Sequence, residues 1–573
     1  MNGQVLESDS AAALTVRNLR VGFGSAEPVV RGVSFVVAPG ECLAIVGESG
    51  SGKSVTARSL LGLAGTNSRV SADRLELGGR SVLGLTDRAW QARRGKDVGL
   101  VLQDALVSLD PLRPIGREIA DSLRLHTTLG AAGRARRVLE LLDAVGLPQP
   151  ELQVRKLSGQ LSGGERQRAL IAAAIALNPP LLIADEPTTA LDVTVQAQIL
   201  ALLEQITGAG TAVLLISHDL AVVSRIAHRV AVMYDGQLVE TGRTAQVLGS
   251  PQHEQTRRMV AAIPADKPRG TRLSPANRSG APSTPDTPSF LSTPSFLSTP
   301  SFLSTPSNFG AEVSRESTVV LEAIGLSKSF RRPDGTSQLA VDDVSFTLHH
   351  GSTLGIVGES GSGKTTVARL LLALLAPEHG EVHVFGEPWS AASEKTRREL
   401  RASVGAIYQD ALGSFDPRWS IAEILTDALN LRRERGAPHT TTRLTSLLDE
   451  VGLAPTVLPR RPLELSGGQR QRVGIARALA GRPEILICDE PVSSLDVTVQ
   501  AQVLDLLDDV QRERGLSLIF ISHDLGVVQH ISDQIAVMRD GRIVEIGPAE
   551  RVFAAPQHPY SAQLLAAVPR GPV

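Results

Sequence analysis

Cysteine is nearly missing from this chain of 573 residues: Cys42 and Cys488 are the two there are, and they lie in apolar segments of opposite halves. A pair so placed builds neither a disulfide framework nor a zinc site, which suits a reducing cytoplasm. Net charge is missing too. Fifty-eight basic residues stand against 60 acidic ones, so no global field for nucleic acid is implied. Long apolar runs are also absent. No uninterrupted apolar stretch of about 20 residues occurs, and the first residues lack a basic-then-apolar leader. The expectation is a chain that neither spans a membrane nor is exported by that route.

What the chain has instead is repetition. Gly-Glu-Ser-Gly-Ser-Gly-Lys occurs at 47–53 and again at 358–364, completed by Ser54 and Thr365. Each copy follows a short apolar, β-branched run, as a buried strand feeding a phosphate loop requires. Gly47, Ser49, Gly50 and Gly52, with Gly358, Ser360, Gly361 and Gly363, let backbone N–H groups turn inward toward phosphate oxygens. Lys53 and Lys364 would reach the β- and γ-phosphates, and the Ser54 and Thr365 hydroxyls would take a Mg²⁺ position. Two apolar runs, 181–186 and 485–490, end in Asp185-Glu186 and Asp489-Glu490. These read as buried parallel strands carrying a metal carboxylate followed by a general base.

The segments at 161–168 and 465–472 both begin Leu-Ser-Gly-Gly, with Ser162, Gly163, Gly164 and Ser466, Gly467, Gly468 opening a helix. Leu157-Ser158-Gly159 is a decoy, because Ser162 precedes Asp185 by 23 residues just as Ser466 precedes Asp489. On these residues the chain resembles the ATP-binding cassette family, over about 13–265 and 319–570. The resemblance implies an α/β fold of two tandem phosphate-loop cassettes, each with a RecA-like core sheet, an antiparallel β subdomain and a helical insert (about 110–160 and 416–464). It implies that Gln103 and Gln409 are Q-loop residues near Mg²⁺, and that Leu191-Asp192 and Leu495-Asp496 are D-loops. His218 and His523 would be switch histidines on the γ-phosphate, and Phe23 and Phe330 would stack on adenine. Neither cassette then owns a whole ATP site, because each lends its Ser-Gly-Gly to the other's phosphate loop. The cassettes would pair within the chain, with ATP and Mg²⁺ as cofactors.

Residues 1–12 read as a tail, 13–265 as the first cassette with a C-terminal extension, 266–318 as a linker and 319–573 as the second cassette with its extension. The linker is rich in Ser, Thr and Pro and repeats Ser-Phe-Leu-Ser-Thr-Pro at 289–294, 295–300 and 301–306. Regular proline blocks helix and sheet, so a disordered tether spanning roughly 40 Å is expected. The segments 230–242 and 534–547 alternate like small β-elements.

Finer features resemble the dipeptide and oligopeptide importer branch: Gln-Asp followed by Ser-x-Asp-Pro in both halves, Leu-Asp-Val-Thr-Val-Gln-Ala-Gln at 191–198 and 495–502, and the tail Pro556-Gln557-His558-Pro559-Tyr560. The first half has His253-Glu254-Gln255 in place of His-Pro-Tyr. That branch often carries an iron–sulfur centre in this tail, and no cysteines exist here to hold one. The resemblance implies an ATPase on the cytoplasmic face of the cell membrane, working with two integral-membrane permease subunits and an extracytoplasmic solute-binding protein. The alternatives are a relative serving nickel, glutathione or another small solute, and a tandem cassette ATPase acting on ribosomes. The ribosomal class joins its cassettes by a charged helical linker, unlike this one. A DNA-repair cassette would need zinc-binding cysteine pairs.

Overall fold

The computed structural model describes residues 12–24, 26–102, 108–189, 191–265, 267–274, 318–331, 335–430, 440–493 and 495–567. Gln103 and the Ser-Phe-Leu-Ser-Thr-Pro repeats lie outside the described residues.

Each half is built on a six-stranded sheet of the same order. In the first it runs Gln237–Arg243, Arg229–Tyr234, Cys42–Val46, Ala212–Ile216, Leu181–Asp185, Val98–Val101. In the second it runs Arg542–Pro548, Gln534–Arg539, Thr353–Val357, Ser517–Ile521, Ile485–Asp489, Val404–Ile407. All pairings are parallel except the outermost hairpin. Cys42–Val46, Ala212–Ile216 and Thr353–Val357 are buried at every position, so both faces are covered and the strands are continuously apolar. The expected small β-elements therefore divide. The first strand of each hairpin joins the parallel core, and the second closes its edge.

An antiparallel sheet flanks each core, with Leu14–Phe23 central in the first half and Val319–Arg331 in the second. The helical inserts contain Ile115–His126 and Ala131–Ala144 in the first half, Ile421–Asn430 and Thr440–Glu450 in the second. The phosphate loops leave the strands Cys42–Val46 and Thr353–Val357 at their C-terminal ends, where α/β sheets present ligand crevices. Residues 267–274, which composition places in the tether, pack against the second cassette.

Candidate active sites and their crossing contacts

Close approach explains the first glycine of each phosphate loop. A Cβ at Gly47 would lie 2.1 Å from the Met233 carbonyl oxygen, and one at Gly358 would lie 2.2 Å from that of Met538. Gly52 and Gly363, both at φ 102°, make the left-handed step into the helices Lys53–Ser59 and Lys364–Leu371. Lys53 Nζ donates to the carbonyls of Gly47 and Glu48 at 2.8 Å, and Lys364 Nζ does the same to Gly358 and Glu359. Burial lowers both ammonium groups below the ordinary lysine value. Nearby carboxylates oppose that shift, Asp496 of the second cassette acting on Lys53 and Asp192 of the first on Lys364.

The Ser54 hydroxyl donates to Asp185 Oδ1 at 3.1 Å, and Thr365 does so to Asp489 at 3.4 Å. Asp185 Oδ2 is buried without a hydrogen-bond partner. Burial holds the Asp185 and Asp489 carboxyls above their ordinary range, and the adjacent Glu186 and Glu490 charges add to it. Hydroxyl, carboxylate and orphaned oxygen together fit a divalent cation.

Glu186 and Glu490 both sit at φ 50°, a left-handed backbone costing of order 1–3 kcal/mol for a non-glycine residue. Such strain persists where the surroundings dictate an orientation. Here His218 Nδ1 lies 3.2 Å from Glu186 Oε1, and His523 Nδ1 lies 3.1 Å from Glu490 Oε1. Burial works against these carboxylates. The histidine hydrogen bond and charge outweigh it, with help from Lys53 or Lys364, and hold both below the ordinary glutamate range. The histidines, despite burial, are raised by the same bonds. Gln409 Nε2 donates to Glu490 Oε2 at 2.8 Å, so the residue expected in the Q-loop bonds the carboxylate expected to act as base. Gln103 lies outside the described residues. Phe23 is half-buried against the antiparallel subdomain, whereas Phe330 is 41% exposed.

Ser162 and Ser466 each cap a helix in a reciprocal box. The Ser162 hydroxyl accepts from Glu165 N, and Glu165 accepts from Ser162 N; Gln469 does the same for Ser466. The decoy at 158–160 is a short 3₁₀ turn. These signature serines bond within their own cassettes. Asp192 Oδ2 accepts from Ser360 N at 3.4 Å, and Asp496 Oδ2 accepts from Ser49 N at 3.3 Å. Each aspartate also caps its own helix through Oδ1, accepting from Val195 N or Val499 N. One carboxylate thus orients a helix and binds the other half's phosphate loop. The D-loop motif named these residues, but not this double duty.

Comparison with known proteins agrees with that geometry. The "ABC transporter" family model matches residues 30–189 and 341–493, and "Oligopeptide/dipeptide transporter, C-terminal region" matches 544–571. The peptidoglycan transport ATP-binding protein YejF of Agrobacterium fabrum is 41% identical over 98% of this chain and 97% of its own length. The oligopeptide transport ATP-binding protein OppD of Mycobacterium tuberculosis is 40% identical over 97% and 98%. The glutathione import ATP-binding protein GsiA of Escherichia coli K12 is 42% identical over 98% and 90%. With these matches running through both halves, the chain belongs to the ABC transporter ATPase family, as two cassettes in tandem ending in an oligopeptide/dipeptide transporter C-terminal region.

Proposed function

We propose that the chain is the ATP-hydrolysing, energy-coupling subunit of a membrane importer for dipeptides or oligopeptides. The observation that carries this reading is the pair of filled catalytic sets whose phosphate loops are contacted across the interface by Asp496 and Asp192. The C-terminal match at 544–571 supports a peptide-sized solute. Among the described residues no helix is long and apolar enough to cross a membrane. The chain acts peripherally, on two separate permease subunits supplied with solute by a binding protein.

In each site a phosphate-loop lysine and backbone amides hold the triphosphate. Glu186 or Glu490 accepts a proton from water as its oxygen bonds the γ-phosphorus and the bond to the bridging oxygen breaks, leaving ADP and phosphate. His218 and His523 fix the carboxylate's direction. Ser54 with Asp185, and Thr365 with Asp489, would hold Mg²⁺, which when bound neutralises charge on the β- and γ-phosphates. In the closed state Ser162–Gly164 and Ser466–Gly468 face the opposite γ-phosphate. Phe23 and Phe330 are the adenine-stacking residues of this proposal, and Gln103 and Gln409 link nucleotide to permease.

Affinity purification from membranes, followed by reconstitution with the captured permease, tests the reading. Peptide presented with its binding protein should raise ATPase several-fold. Co-sedimentation with ribosomes and no integral-membrane companions would reject it.

A further inference from the structure

After the last helix of the first cassette, Glu254–Ala261, residues 262–265 and 267–274 lie against the second cassette. Three kinds of contact hold them there. Ala262 and Leu273, each 2% exposed, join the hydrophobic core of the second cassette. Arg269 pairs with Asp533 and donates to Gln511 Oε1 at 2.8 Å, while Arg272 pairs with Asp509. Asp505, 7% exposed on the helix Val497–Arg514, accepts from Leu273 N at 3.0 Å, from Ser274 N at 2.8 Å and from the Ser274 hydroxyl. The Lys267 carbonyl meets buried His530 Nδ1 at 3.3 Å.

The receiving residues belong to the second cassette alone. Aligning the halves on Lys53/Lys364, Asp192/Asp496 and His218/His523 places Ala201 opposite Asp505, Gln205 opposite Asp509 and Thr207 opposite Gln511. It also places Arg225 opposite His530 and His228 opposite Asp533. The last match is structural as well: His228 accepts from Cys42 N where Asp533 accepts from Thr353 N. At the positions of Asp505, Asp509 and Asp533 the first cassette has no carboxylate. A buried carboxylate needs its donors, since water no longer solvates its charge. Asp505 is therefore a residue made for this strap. The strap also runs beside one of the two composite sites, because Arg272, Leu273 and Ser274 line a cavity with Glu48 of the first phosphate loop and Arg472 of the second signature helix.

We propose that residues 262–265 and 267–274 form an intramolecular clasp, seated on a polar site unique to the second cassette, that keeps the two cassettes joined beside the Glu48 phosphate loop when no nucleotide bridges them. The tether at 275–317 then need not hold the halves together. Opening after hydrolysis becomes one-sided, hinged at the clasped edge.

The experiment places a protease site within residues 289–306 of the full chain and cuts the purified protein in nucleotide-free buffer. Size exclusion should show one particle containing both fragments. The same cut in Asp505→Ala, and separately in Arg269→Ala/Arg272→Ala, should give two separate fragments. The second variant alters only strap side chains, and ATP binding before cutting checks that both variants are folded. Separation of the fragments in the otherwise unaltered protein, or co-elution of both folded variants, overturns the clasp. Either result concerns nucleotide-free association and leaves the ATPase reading untouched.

Discussion

The two cassettes share sheet order, the Gly-Glu-Ser-Gly-Ser-Gly-Lys loops, the Asp-Glu strand ends and the histidines that meet them. Each loop takes a bond from the opposite cassette's aspartate, yet the further groups that reach the loops differ. In the second cassette the Tyr560 hydroxyl accepts from Glu359 N at 3.2 Å, and Arg539 stacks over its ring at 4.8 Å. The corresponding residues of the first cassette are Gln255, whose amide nitrogen is buried without a partner, and Tyr234. There the loop residue Glu48 instead accepts from the Thr498 hydroxyl of the other cassette, at 3.0 Å. Beyond the aspartate bond that both receive, one loop is braced by its own C-terminal helix and the other by a threonine of its neighbour. The reaction constrains every atom that touches phosphate or water, so the catalytic cores stay alike. Bracing can be achieved in more than one way, and there the halves have diverged. The family match to the peptide-transporter C-terminal region covers only the second tail, in line with that divergence.

The largest test of the comparison is the pair of bases. Glu186→Gln with Glu490→Gln should lower ATPase by about 10²–10⁴-fold, the range for loss of a general base, with ATP binding retained. The two single variants, measured in steady-state phosphate release, then weigh one site against the other. Near-normal turnover in the double variant would remove these residues from catalysis.

The crossing aspartates come next. Asp192→Ala and Asp496→Ala each remove a helix cap, costing about 1 kcal/mol, and a bond to the opposite loop. Asparagine at the same positions keeps the cap and loses the charge. ATPase should fall roughly tenfold in the alanine variants, an assumed loss near 1.4 kcal/mol, and less in the asparagine variants. Parental activity in all four would mean that the crossing bonds do not matter.

Tyr560→Phe removes one hydrogen bond, worth about 1 kcal/mol. ATP affinity at the second site should weaken about fivefold by fluorescent-nucleotide titration, whereas Gln255→Ala leaves the first site unchanged. The reverse pattern would break the asymmetry.

The smallest effect is on pH-dependent stability. His218 and His523 are raised above the ordinary value of 6.5 by their glutamates. Their contribution is therefore whole below pH 6.5 and is lost as pH climbs through the raised value. Thermal melting of the parent should fall over that window by a few degrees relative to His218→Gln/His523→Gln. Parallel curves would show that the pairs add no pH-linked stability.

Much of each site is legible without coordinates, since its parts are local. Gly52 and Gly363 take their left-handed turn wherever they open a helix, and Ser162 caps because Glu165 follows three residues on. The decoy at Ser158 falls to spacing alone. Legibility fails for bonds between distant residues. The Gln409–Glu490 bond, Tyr560 on the phosphate loop and the seating of residues 267–274 leave no periodic or spacing signal. The shift to Ser, Thr and Pro from about 266 assigns the strap to the tether, and nothing in that composition shows Arg269 meeting Asp533, Arg272 meeting Asp509 or Asp505 meeting the Leu273 and Ser274 amides.

By itself, then, the sequence determined the local parts, namely two glycine-rich loops opening helices, two Asp-Glu strand ends and two Ser-capped helices, because short segments set their own backbone geometry. Tertiary structure alone decided how the halves face one another. Asp192 reaches Ser360 across 168 residues and Asp496 reaches Ser49 across 447. Contacts at that range exist only once both sheets have formed and their loops are held opposite each other.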